Sequence, residues 1–354
     1  MKTLLLTEAS DAAKLLKQGE VVALPTETVY GLAGNATDAR VVNKIFIAKE
    51  RPYFDPLIVH ISDSYLKEER PLDLLAKENI LDSSVLGWKN REKIELSMRR
   101  FWPGPLTLIL PKGNKIPLEV TSGQNTVGIR CPEHSQFQKV LHALSFPLAA
   151  PSANRFGRIS PTSAEHVLKE LDGKIAGILD GGNCAVGVES TIIRITEDDV
   201  TLLRPGKISK TEIESIFGPL QIISEPILAP GMLDEHYSPR KPLYLIPLSF
   251  ENPQTQVLLD QFPQSQELTA AFLSMSGFHS SFQHRAEQVI RILSPQKSEE
   301  EMAKNLFSTL RELDENEKVS VIFADSPSST QEGLGASIFD RLKRASRNKP
   351  SFPL

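Results

Sequence analysis

Cysteine is nearly absent from this chain. Cys131 and Cys184 are the only two among 354 residues, too few for a disulfide framework and, with no Cys/His spacing around them, no zinc site. Long apolar runs are missing as well. No stretch approaches the ~18 consecutive apolar residues of a spanning helix, and Leu4-Leu5-Leu6 is too short for a secretory signal before Glu8 interrupts it. Charge of one sign is not in excess: 40 Lys+Arg face 44 Asp+Glu, with a pI near 6.0. That balance argues against a nucleic-acid coat but leaves room for a local basic groove. Aromatics at 6% give no series of stacking platforms for a single strand. These absences predict a reducing, cytoplasmic setting and no membrane partner. Familiar fingerprints are missing too: no GxxxxGK[ST], GxSxG, HExxH or kinase set occurs. Gly333-Leu334-Gly335 lacks the third glycine and the strand-to-helix context of a dinucleotide loop.

Proline is what the chain has in excess, 25 against 20 Gly. Pro219, Pro226, Pro230, Pro239 and Pro242 cluster in one segment, which reads as a semi-rigid linker. The length predicts two domains, at roughly 150 residues per domain. The expected organisation is a first domain over 1–217, a linker over 218–242 and a second domain over 243–354. Periodicity predicts helices at 8–18, 38–49, 135–144 and 163–171. Strands are expected at 21–24, 57–61, 106–110, 126–130, 148–150, 175–179, 190–195 and 200–204. After the linker the pattern predicts strands at 243–247, 268–274 and 319–324, with helices at 298–313 and 336–346. Alternation of apolar strands with helices implies a buried, twisted α/β sheet with helices packed on it.

Five polar clusters fall at predicted strand ends, where open α/β sheets place ligands. Thr26-Glu27-Thr28 directly follows the opening strand and suits either a ligand loop or a plain turn. Lys49-Glu50-Arg51-Pro52 suits either a helix terminus or anion capture. Arg130 ends a strand and suits a carboxylate. Pro151-Ser152-Ala153-Asn154, with Ser160, offers small residues and oxygen-binding donors. Gly187-Val188-Glu189-Ser190 stands with Arg204-Pro205-Gly206. No general-base dyad is evident, so the set fits positioning of an anionic substrate better than nucleophilic hydrolysis.

Seven motifs in order, PTETVYGL (25–32), KxRP with PLIVH (49–60), FWPGPLTL (101–108), TVGIR (126–130), APSAN (150–154), GVESTI (187–192) and LRPG (203–206), resemble the YrdC-domain family. His236-Tyr237-Ser238-Pro239 and Asp340-Arg341-Leu342 resemble its two-domain form, with a Rossmann-like C-terminal domain. The resemblance implies an open twisted sheet with a concave cavity, followed by a smaller Rossmann-like domain. It implies an adenylyl-transferring enzyme that makes threonylcarbamoyl-AMP and pyrophosphate from L-threonine, bicarbonate or CO2, and ATP. The product would pass to the threonylcarbamoyl transferase complex for t6A modification of ANN-decoding tRNAs; direct tRNA binding stays open.

By the same resemblance Lys49, Arg51, Ser152 and Asn154 are the catalytic set. Thr28, His60, Arg130, Ala150 and Ser190 would hold threonine. Arg51, Asp55, Thr126, Ser152, Ser160, Arg204 and Tyr237 would hold ATP, with Mg2+ on phosphate oxygens and water and no protein metal ligand expected. Tyr237 reaches a nucleotide only if the linker folds back as a lid. Family members usually carry Asn where Asp55 stands. A carboxylate beside a polyphosphate predicts either a bridging cation or an outward-turned side chain. The charged segment 64–99 is read as a surface excursion. Two rivals remain: a nucleic-acid-binding module, and carbamoyl transfer of the hydrogenase-maturation kind, whose acylphosphatase and zinc-finger segments are not visible here.

Overall fold

The computed structural model describes residues 2–221, 236–246, 249–252, 269–278, 289–327 and 332–346. The chain divides into two compact units. One comprises 1–156, 160–185 and 189–232; the other comprises 157–159, 186–188 and 233–354. Most of the expected linker, 222–235, lies outside the described residues.

In the first unit the strands are β1 (Leu4–Leu6), β2 (Val22–Leu24), β3 (Gly31–Asn35), β4 (Ile58–His60), β5 (Leu106–Pro111), β6 (Thr126–Arg130), β7 (Leu148–Ala149), β8 (Gly177–Leu179), β9 (Thr191–Ile195) and β10 (Val200–Arg204). They form one mixed sheet in the order β1-β8-β2-β3-β7-β4-β6-β5-β9-β10. The helices are α1 (Ala9–Lys17), α2 (Ala39–Lys49), α3 (Pro71–Lys77), α4 (Arg91–Phe101), α5 (Leu118–Thr121), α6 (Ser135–His142), α7 (Ala164–Leu171) and α8 (Lys210–Phe217).

Strand alternation covers both faces of this sheet. Ala23 and Leu32 join one core cluster with Val42, Ile45 and Phe46 of α2, while Val22, Leu24 and Ala33 join another with Ala12 and Leu16 of α1 and Phe137 and Val140 of α6. Each fully buried aliphatic or aromatic side chain contributes roughly 1.5–3 kcal/mol. The segment 64–99 is not a surface excursion: Leu72, Leu75, Ile94 and Met98 are fully buried in the larger cluster. Its charges occupy the opposite helix faces, which is why it reads as solvated.

β3 was not expected as a strand, because Gly31 and Gly34 punctuate it. Its glycines serve close approach instead of a turn. A Cβ on Gly34 would stand 2.8 Å from Val41 Cγ1. β1 was passed over as a three-residue apolar run, yet it pairs in parallel with β8. α8 carries a capping box between Ser209 and Glu212 that the strand-and-linker reading missed.

In the second unit β11 (Leu243–Leu245), β12 (Ala270–Ser274), β13 (Val289–Ile292) and β14 (Val321–Ala324) form an all-parallel sheet ordered β11-β14-β12-β13. Among the described residues its helices are α9 (Glu299–Glu315) and α10 (Gly333–Ser346). Ser298 caps α9, with Glu299, Glu300 and Glu301 in its first turn, a charge placement its macrodipole favours. Helix α10 starts at Gly333, three residues before the predicted start, so the Gly-Leu-Gly run is its opening turn. The backbone N–H of Gly335 donates to Glu299 Oε2 at 2.9 Å. The protein's own carboxylate fills the place a phosphate takes in a dinucleotide loop.

Candidate active site

The site elements meet through β4 and β6, which run parallel with His60 opposite Arg130. FWPGPLTL makes the tight entry to β5. Trp102 Nε1 donates to Leu106 O at 2.7 Å, and the Gly104 N–H donates to Cys131 O at 2.8 Å. That turn presents the Gly104 carbonyl to Arg130 Nε at 3.3 Å. Arg130 Nη2 also donates to Thr28 Oγ1 at 3.0 Å and pairs with Glu27 Oε1 at 2.6 Å. The Thr26 hydroxyl holds the loop in place, accepting from the Thr28 and Val29 backbone at 3.1 Å.

His60 is buried, its Nδ1 lying 3.1 Å from Ile58 O. Burial first, and the Arg130 charge second, push its imidazole down to about 3. Ala150 is buried and its N–H donates to Ile58 O at 2.9 Å. Across the sheet, Ser190 Oγ lies 2.8 Å from Thr107 Oγ1 and accepts from Arg204 Nη2 at 3.1 Å. Arg204 Nε donates to Ser190 O at 3.0 Å. LRPG fits this contact because a Cβ on Gly206 would stand 2.3 Å from the Thr191 nitrogen.

The KxR and SxN motifs form a second cluster. Lys49 is the last residue of α2, which Glu50 closes in the left-handed region at φ 54°. Its buried Nζ donates to Ser152 O at 2.5 Å and to Asn154 O. Ser152 Oγ donates to Asn154 Oδ1 at 2.5 Å, and Gly31 of β3 bridges Ser152. Burial, then the neighbouring Arg51, hold the Lys49 ammonium well below its ordinary range. Arg51 donates to Asp55 O at 3.1 Å and to Pro56 O at 3.0 Å, and pairs with Asp55 Oδ2 at 2.7 Å.

Asp55 does not turn outward: it is 0% exposed. Burial raises its carboxyl against the pull of Arg51, Lys49 and Arg204. Among the described residues no group of three or more His, Cys, Asp or Glu could hold a metal. Ser160 Oγ donates to Glu189 Oε1 at 2.5 Å. Cys131 and Cys184 are free and buried, their thiols pushed up to about 12 by burial, so neither is a nucleophile at neutral pH.

Thr126 opens the strand that Arg130 closes, about 13 Å away at ~3.3 Å per residue, and shares a small cavity with Pro56, Ile58 and Thr107. Tyr237 belongs to the second unit, where its ring stacks on Phe307 at 5.6 Å and lies under the Arg341 guanidinium at 5.6 Å. The HYSP and DRL motifs are therefore linked by packing. Three polar residues of these clusters have no role assigned from the sequence: Glu27, Thr107 and Glu189. Glu27 and Glu189 sit inside quoted motifs, whereas Thr107 carried no signal beyond its strand position.

The geometry sets a buried arginine beside Glu27 and Thr28, and a lysine–arginine cluster at Ser152–Asn154 and Asp55, on a ten-stranded mixed sheet; the second unit carries a small parallel one. A Sua5/YciO/YrdC family model, described as telomere recombination, matches residues 14–206, and a second, described as the threonylcarbamoyl-AMP synthase C-terminal domain, matches 208–347. The threonylcarbamoyl-AMP synthase of Bacillus subtilis is 39% identical over 318 residues, covering 87% of this chain and 85% of that one. The chain belongs to the threonylcarbamoyl-AMP synthase family. The Pyrococcus abyssi synthase is likewise 39% identical, over 86% of this chain and 84% of its own. A crystal structure of Pyrococcus abyssi Sua5 complexed with L-threonine superposes with a TM-score of 0.83 at 35% identity, covering 98% of each chain. Membership makes this chain an adenylyl-transferring enzyme with a YrdC-type domain. No helix among the described residues is long and apolar enough to cross a membrane.

Proposed function

We propose that this chain condenses L-threonine, bicarbonate or CO2, and ATP into threonylcarbamoyl-AMP and pyrophosphate, the activated intermediate for t6A modification of tRNA. The observation that carries the reading is Arg130, buried at the end of β6 between Thr28, Glu27 and His60, in a fold shared with a threonine-bound relative. Arg130 takes the threonine carboxylate, with Thr28, His60, the Ala150 backbone and Ser190 around it. Keeping His60 neutral avoids a second positive charge beside the amine that must be carbamoylated.

Lys49, Arg51, Ser152 and Asn154 face the nucleotide phosphates, with Asp55, Thr126, Ser160 and Arg204 completing the ATP set in the first unit. The carbamate oxygen attacks the α-phosphorus and pyrophosphate leaves. Such a transfer asks for alignment and charge stabilisation, not a side-chain nucleophile. Magnesium enters as the nucleotide's counter-ion, on phosphate oxygens and water. Lys49 acts mainly by fixing the 152–154 backbone, because both of its hydrogen bonds in this structure go to carbonyls of that loop. The product is handed to a threonylcarbamoyl transferase complex. The domain boundaries that suit this division of labour are a catalytic part over 1–217 and a C-terminal part from 243.

The deciding experiment supplies purified protein with ATP, Mg2+, bicarbonate and L-threonine and measures pyrophosphate. Release that depends on threonine is expected, with threonylcarbamoyl-AMP appearing by mass spectrometry. Pyrophosphate release indifferent to threonine would sink the reading.

A further inference from the structure

Arginine carries five N–H donors in a rigid fork, and Arg130 has already committed three of them. Nε donates to Gly104 O at 3.3 Å, and Nη2 donates to Thr28 Oγ1 at 3.0 Å and to Glu27 Oε1 at 2.6 Å. Nη1 makes no hydrogen bond to any described residue. The other Glu27 oxygen accepts the Glu133 N–H at 3.1 Å. Glu27 and Arg130 are 6% and 4% exposed, so the pair is shielded and solvent does not reorient it. Glu27 thereby ties the loop after β2 to the turn after β6, with the guanidinium clamped between them.

We infer that Glu27 is a positioning residue: it consumes the Nη2 end of Arg130 and so presents the Nη1 edge, in one fixed direction, to the carboxylate of the amino-acid substrate. The inference rests on the reading of Arg130 as the carboxylate's partner and deepens it. An unheld arginine carries ~2 kcal/mol of rotamer entropy, and a pre-set fork spares most of that loss at the moment of binding. A carboxylate is then received at the Nη1 edge, while the Glu27 charge repels one arriving at the Nη2 side.

The test uses the full chain and four proteins: wild type, Glu27→Gln, Glu27→Ala and Arg130→Ala. Threonine binding is measured by calorimetry, and steady-state pyrophosphate release gives KM for threonine and for ATP. Glu27→Ala should raise the threonine KM about 30-fold, leaving the ATP KM within about twofold. Glu27→Gln keeps an oxygen for Nη2 and should recover most of the threonine KM.

A threonine KM within about twofold of wild type in Glu27→Ala, with only the melting temperature lowered, would overturn the inference. An equal rise in both KM values would overturn it too, because that is the mark of a general distortion. Should Glu27→Ala fail to fold, Glu27→Ser, too short to reach Nη2, decides: a threonine KM within about twofold of wild type overturns the proposal, and a rise confined to threonine supports it. If wild type itself binds no threonine, or Arg130→Ala binds it normally, the parent reading falls on its own evidence. Equal binding by wild type and the Glu27 variants removes only the role of Glu27.

Discussion

Asp325 and Asp55 are both 0% exposed, one in each unit, and their surroundings differ in kind. Asp325 follows β14 and accepts from the Phe250 N–H at 2.9 Å, the Met275 N–H at 2.7 Å and the Ser274 hydroxyl at 3.1 Å. Neutral donors from two chain segments converge on it. Asp55 precedes β4 and faces cations: Arg51 at 2.7 Å, with the charges of Lys49 and Arg204 also acting on it. Its Oδ1 makes no hydrogen bond among the described residues. The second unit spends its buried acid on knitting loops, and likewise fills the start of α10 with Glu299. The first unit keeps an excess of buried positive charge around one acid. A parallel sheet with a glycine-bearing helix start is therefore not by itself a nucleotide site. A gathering of buried cations marks the chemistry better than fold likeness does.

That contrast breaks most visibly at Lys49. Lys49→Met keeps the volume and removes both donors to the 152–154 carbonyls. Loop displacement of about 1 Å costs on the order of 100-fold in rate. The expected result is a fall of that order in kcat/KM for ATP with the fold retained by circular dichroism. Unaltered kinetics would show that the loop holds without its lysine.

Asp325→Asn probes the other side of the comparison. Leaving buried donors mismatched costs about 1–3 kcal/mol, so thermal unfolding should come earlier while pyrophosphate release per folded molecule stays within about twofold of wild type. A comparable loss of turnover would place Asp325 in the chemistry. The wild-type residue also carries a pH signature. Burial outweighs its donors and pushes Asp325 up to about 6 from the ordinary 3.8. The folded state thus binds the proton more tightly than the unfolded chain. Its contribution is full below the ordinary carboxylate value and is lost as pH rises through about 6. Stability measured across that window should slope downward in wild type and flatten in Asp325→Asn.

The smallest effect concerns His60. Held near 3 by burial and by Arg130, its imidazole should show no titration between about pH 5 and 8 in nitrogen-detected NMR, where an unperturbed histidine changes charge. Because its value is depressed, the stability it contributes is present above the ordinary 6.5 and declines as pH falls toward 3. A midpoint between 6 and 7 would mean that solvent reaches the ring.

Much of the frame was legible because period-2 and period-3.6 patterns survive any packing. β6 and β10 stand where the pattern places them, and α2 runs within one residue of its expected span. Misreadings have local causes. Gly31 and Gly34 look like turn residues, and only the neighbouring Val41 side chain shows that β3 needs them for closeness. β13 is short and partly exposed, with a burial pattern that gives no alternation. The site was legible as motifs but not as partners. Arg130 was chosen for its strand end, yet Glu27, three residues past the end of β2 and 103 residues away in sequence, controls its orientation.

By itself the sequence determined the chemistry on offer: two inert thiols, no metal cage in view, and ordered polar motifs between apolar strands. It also determined the family, since seven motifs in order leave little freedom. Only the tertiary structure decided which groups are already taken. Lys49 is bound to the 152–154 carbonyls, Asp55 is buried against Arg51, Tyr237 packs on Phe307 in the second unit, and Arg130 keeps one edge uncommitted. Lys49 and Arg130 meet their partners more than a hundred positions away, Tyr237 stacks on a ring 70 positions on, and even the four-residue Arg51–Asp55 pair is buried only by the fold. Local pattern carries no record of which donor meets which acceptor; burial makes each such pairing obligatory, and the fold alone brings the partners within reach.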